Sequence, residues 1–134
     1  MRAIGRIAVV GSMVLASAGL SVGSASALYA VCWDADNDAG GVNCSISHEE
    51  NSWGSVDNVN FQAYGEVLHI SDLLANGKGV GAYVEGKWYP FNGTSDDPGV
   101  TYNLSFTEGQ KITLTSCQTN NGTRYDCHTE YATA

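Results

Sequence analysis

Cations are scarce in this chain. Six Lys and Arg stand against 14 Asp and Glu in 134 residues, a formal net charge of −8. Phosphate binding needs clustered Lys and Arg, so nucleic acids and anionic membranes are excluded as partners. Long apolar runs are also lacking beyond the first two dozen residues, so no later segment could cross a membrane as a helix. Helix signals are nearly absent, because Ala-rich amphipathic stretches are missing and turn residues recur about every ten positions. Catalytic signatures are missing too. Beyond the N-terminal apolar run there is no G-x-S-x-G, no H-E-x-x-H and no C-x2-C, so the sequence points to no catalytic residue and no bound cofactor.

What is present begins at the N-terminus. Arg2 and Arg6 precede an apolar, Gly- and Ser-interrupted run from Ile7 to Val22, which ends in Ala25-Ser26-Ala27. A basic n-region, an h-region and an A-x-A site make a secretory signal peptide over residues 1–27. The run is too short and too rich in small residues for a membrane anchor. Cys32 is a poor lipidation site, since Tyr29-Ala30-Val31 lacks the small residue expected beside it. The 134 residues less these 27 leave a mature domain of 107, Leu28 to Ala134, and the charge of −8 becomes −10 once Arg2 and Arg6 are gone. One domain of that length buries about two thirds of its unfolded surface. A secreted protein, monomeric and without a membrane segment in its mature form, is expected.

Cys32, Cys44, Cys117 and Cys127 all lie in the mature part. An even count in a small exported domain reads as two disulfides rather than a tetrathiolate zinc site. Of the three connectivities, Cys32–Cys44 and Cys117–Cys127 are favoured. The second pair flanks Asn120-Asn121-Gly122, a hairpin signal, and a bulged turn at Gly122 would set the two cysteines opposite each other.

Strands are the natural reading of the rest. Val100, Tyr102, Leu104 and Phe106 alternate with polar residues, as do Val59, Phe61 and Ala63, and Val80, Ala82 and Val84. Leu68 with Ile70, Ile112 with Leu114, and Tyr125 to Tyr131 continue the set. Turns are expected at Asn76-Gly77, Glu85-Gly86, Asn92-Gly93, Asp97-Pro98-Gly99 and Asn121-Gly122. About seven short strands predict an all-β fold, an antiparallel β-sandwich or small barrel. The polar stretch from Ser45 to Asp57 reads as a loop.

Three features bear on function. Asp34, Asp36 and Asp38, followed by Gly40, resemble a cation-wrapping loop. The fit to an EF-hand is imperfect, with Ala39 at the sixth place and Ser45 at the twelfth, so calcium stands beside a plain acidic loop. Trp53, in a polar stretch, and Trp88, after a turn, are candidates for stacking on sugar rings, against the alternative that they fill the core. His48, His69 and His128 show no ligand spacing. The four N-x-S/T sequons, at Asn43, Asn92, Asn103 and Asn121, carry no weight behind a leader of bacterial type.

The runs Ala63 to Asp72 and Asn76 to Val80 resemble small secreted proteins of Streptomyces and related actinobacteria. So do Trp88-Tyr89, Phe106-Thr107-Glu108-Gly109 and the late pair Cys117 and Cys127. The resemblance covers Asn58 to Ala134 and implies a bacterial exported β domain, with no activity attached to any residue. The resulting expectation is a non-catalytic extracellular binding module for a protein or a cell-wall glycan. The alternatives are a small hydrolase using carboxylates and a secreted inhibitor or toxin.

Overall fold

The computed structural model describes residues 27–50 and 53–134. The leader therefore lies outside the described residues, except Ala27, which opens the first strand. Ten strands follow: β1 (Ala27–Asp34), β2 (Val42–Glu50), β3 (Gly54–Ser55), β4 (Asp57–Gln62), β5 (Val67–Asp72), β6 (Gly79–Val84), β7 (Lys87–Pro90), β8 (Val100–Asn103), β9 (Lys111–Asn120) and β10 (Thr123–Thr133). All pairings are antiparallel and join into one sheet, in the order β7-β6-β9-β10-β2-β4-β5-β8, with β1 and β3 paired to β2. The sheet curls into a half-barrel. The all-β antiparallel class is the expected one, with ten strands in place of about seven.

The curl follows from period-two patterning. Ile46, Val59, Phe61, Leu68, Ile70, Val80, Ala82, Val84, Ile112 and Leu114 all point inward and are fully or almost fully buried. At roughly 1.5–3 kcal/mol for each large apolar side chain, this inner face is the main source of stability. Where the two ends of the sheet approach, Tyr102 packs edge-on against Tyr89, with ring centroids 5.0 Å apart. Its hydroxyl donates to the Pro90 carbonyl at 2.5 Å.

Two expectations need correction. Ser45 to Glu50 is strand, not loop, because its inward positions are filled by Ile46 and a buried His48 rather than an apolar series. The Gly99 to Phe106 stretch is strand only over Val100–Asn103.

Both disulfides form as expected, Cys32–Cys44 and Cys117–Cys127. The second does so by a different device. Asn121 and Gly122 both take positive φ (49° and 79°), and Asn120 pairs with Thr123, so the turn is a tight two-residue one. The bulge sits farther along, where the register shifts between Tyr125 and His128. Asp126, at φ 48°, is the extra residue that brings Cys127 opposite Cys117.

Candidate ligand-binding face

Period two also decides what the half-barrel shows to solvent. On β1, β2, β4, β5 and β8 the outward positions fall into register. Val31 pairs with Ser45, Ser45 with Asn60, Asn60 with His69, and His69 with Thr101. These five residues form one row across five strands. On one side of it, Trp33 pairs with Asn43, Gln62 with Val67, and Val67 with Asn103. On the other side, Tyr29 pairs with Ser47, and Asn58 with Ser71, but Ser47 and Ser71 are buried. No Lys, Arg, Asp or Glu occurs in these rows. Glu49 on β2 and Asp36 in the loop after β1 lie beyond their ends.

The side chains of this face are partly cross-bonded. Asn58 Nδ2 donates to Ser45 Oγ at 2.8 Å and to Ser47 Oγ at 2.9 Å. His69 Nδ1 lies 3.0 Å from Thr101 Oγ1. Asn43 Oδ1 accepts from the Ala63 N–H at 2.8 Å. Asn60, in the middle of the central row, keeps its Oδ1 buried, without a hydrogen-bond partner among the described residues. Amides and hydroxyls held this way are positioned donors and acceptors.

The border of the face is aromatic. Tyr29 is 55% exposed and Trp33 42%. Among the described residues β1 pairs only with β2, so the Cys32–Cys44 bridge pins the strand that carries both rings. At the Trp33 end a depression of about 200 Å³ is lined by Ala35, Asp36, Asn37, Asn43, Gln62 and Tyr64. Tyr64 is exposed there.

The residues expected from sequence are distributed differently. Trp53 is 73% exposed, in the turn after β2, where its N–H donates to the Glu50 carbonyl at 2.8 Å. Trp88 is half-buried and its ring is already covered. The Arg124 guanidinium lies 4.0 Å over it, and Tyr83 packs against it at 4.8 Å while donor contact from Arg124 reaches the Tyr83 hydroxyl. The ring also lies against Gly81, where a Cβ would collide with it. The outward rows themselves escaped the sequence reading, since polar alternation marks a strand but not the strand's neighbours.

Asp34, Asp36 and Asp38 lie at the end of β1 and in the loop behind it. Asp38 folds back on Gly41, and its carbonyl accepts the Gly41 N–H at 3.0 Å. Among the described residues no three His, Cys, Asp or Glu side chains gather as a metal site. Equal melting temperatures in millimolar calcium and in EDTA would leave these carboxylates as a plain acidic loop. A calcium-dependent rise of several degrees that Asp36→Ala abolishes would show instead that an ion draws the carboxylates together.

A second polar group lies inside the barrel. His48 is fully buried and Asp57 nearly so. His48 Nδ1 is 3.0 and 2.9 Å from the two Asp57 carboxylate oxygens, and Nε2 is 2.7 Å from the Asp126 carbonyl. The Asp126 carbonyl can only accept, so Nε2 donates to it, and Nδ1 faces the Asp57 carboxyl group. Burial disfavours the charged ring, but the hydrogen bond and charge of Asp57 and the Asp126 carbonyl outweigh it, and the pKa is raised above 6.5. Asp72, the register partner of Asp57, has its pKa raised above 3.8, chiefly by burial, with the Asp57 charge adding to it and the Leu74 N–H opposing. Asp72 borders a depression of about 330 Å³ whose lining contains no second carboxylate. The paired arrangement used in glycoside hydrolysis is not assembled there.

No protein-family model, curated protein or solved structure matches the chain. No helix among the described residues is long and apolar enough to cross a membrane. The two disulfides suit an oxidising compartment.

Proposed function

We propose that this protein is an exported, non-catalytic binding module that attaches to the cell wall through the outer face of β1, β2, β4, β5 and β8. One observation carries the reading: registered outward rows without Lys, Arg, Asp or Glu, most of whose side chains are amides and hydroxyls, edged by exposed aromatic rings on a disulfide-pinned strand. Such a face has recognition chemistry. The leader pattern of Arg2, Arg6 and Ala25-Ser26-Ala27, the two disulfides and the resemblance to actinobacterial secreted proteins support export. A reactive centre is not part of this reading, since His48 and Asp57 are committed to each other in the interior.

The test uses protein recovered from culture medium. N-terminal sequencing should begin at Leu28, and the protein should sediment with washed bacterial cell walls. Trp33→Ala should move it into the supernatant without changing its melting temperature. A start at Met1 would refute export. Failure to sediment, or sedimentation equal in the variant, would refute the face.

A further inference from the structure

We propose that the ligand of this face is an uncharged, linear, hydroxyl-rich polysaccharide lying across the strands, along the row Val31, Ser45, Asn60, His69 and Thr101. The inference rests on the binding-module reading and names its ligand class. Three properties of the face carry it.

The first is charge. The mature domain carries −10, the value of −8 less Arg2 and Arg6, so polyanions are repelled. Cationic ligands would seek carboxylates, and these lie beyond the rows at Glu49 and Asp36. A neutral ligand is the class that the rows neither repel nor leave unpaired.

The second is hydrogen-bond type. Ser and Thr hydroxyls and Asn amides both donate and accept, as sugar hydroxyls do. A protein partner would want a desolvated apolar centre with aromatic or Arg anchors. Here the centre is polar and the rings lie at the border, where Tyr29 and Trp33 can stack on the apolar face of a pyranose.

The third is repeat. Neighbouring strands are about 4.8 Å apart, so the row offers a side chain at that interval over roughly 19 Å. A single sugar would meet only one or two of these groups, each worth about 1 kcal/mol net. A linear polymer meets several at once. Affinity should therefore climb with oligosaccharide length until the chain spans the five strands.

The experiment is a sedimentation assay of the purified full protein with insoluble cellulose, chitin and β-1,3-glucan. Polygalacturonate, polylysine-coated beads and protein-rich cell-wall extract serve as competitors. Binding to at least one neutral polymer is expected, little changed by added salt. Thr101→Val should weaken it about fivefold, the equivalent of one hydrogen bond. Trp33→Ala should weaken it on the order of tenfold, while Lys111→Ala, on β9 and off the face, should leave it unchanged. Unchanged melting temperatures keep these losses attributable to the face. Binding only to a charged polymer or to wall protein, still lost in Thr101→Val and Trp33→Ala, would overturn the neutral-glycan class and leave the face standing. Binding to nothing in cell walls, or binding indifferent to both substitutions, would overturn the class and the binding-module reading together.

Discussion

Replacing His48 by Leu should destabilise the protein by about 3–5 kcal/mol, the cost of stranding one buried charge when its partner is removed. Asp57 would then keep, among the described residues, the His48 backbone N–H at 2.9 Å, in a buried site. The Asp126 carbonyl, held at 2.7 Å by Nε2, would lose its partner at the bulge. Urea unfolding measures the loss, and a change below about 1 kcal/mol would mean that the ring is neutral and dispensable. The pH dependence supplies a second reading. The folded pKa of His48 lies above its reference of 6.5, so the folded state binds this proton more tightly than the unfolded chain. The contribution is fully present below about pH 6.5 and is lost as pH rises through the folded pKa. Asp72 is raised above 3.8 and acts in the same sense in a lower window, being lost as pH rises through its own folded value. His48→Leu should therefore abolish the decline on the alkaline side and leave the acidic one.

Reduction of both disulfides should lower the melting temperature by on the order of 30 °C. Sequence separations of 12 and 10 residues make each bridge worth about 3 kcal/mol on chain-entropy grounds. Their sum approaches the whole stability of an ordinary small domain. The two bridges should separate in a binding assay. Breaking Cys32–Cys44 frees β1, which pairs only with β2 among the described residues, and with it Tyr29 and Trp33, so adsorption to cell walls should fall along with stability. Breaking Cys117–Cys127 should cost stability alone. It should also be non-additive with His48→Leu, because Asp126, which His48 holds, is the bulge residue beside Cys127. Thermal melts with and without reductant measure the first effect. A shift of only a few degrees would show that the inner face holds the fold unaided.

The strands that the sequence makes legible share one property. Val59, Phe61, Val80, Val84, Ile112 and Leu114 alternate cleanly because their inward positions carry apolar side chains. β2 escaped that reading because one of its inward positions is His48. A buried polar residue breaks the hydrophobic period, and only its distant partners, Asp57 and Asp126, make the burial tolerable. Trp88 illustrates the same limit from the other side. Its place after the Glu85-Gly86 turn is legible, but the Arg124 guanidinium that covers it arrives from a strand far along the chain.

The sequence alone determined the all-β class and the turns at Glu85-Gly86 and Asn121-Gly122, and favoured the pairing that the four cysteines make. These depend on local conformation, on period-two patterning and on short loop closures, all of which are written in neighbouring residues. Tertiary structure alone decided that Asp126 would be a bulge, that His48 would be buried against Asp57, and that Val31, Ser45, Asn60, His69 and Thr101 would stand in one line. Each of these depends on the register between strands distant in sequence. A polar residue on a strand declares which way it faces, but not what lies beside it, and the candidate site is made of what lies side by side.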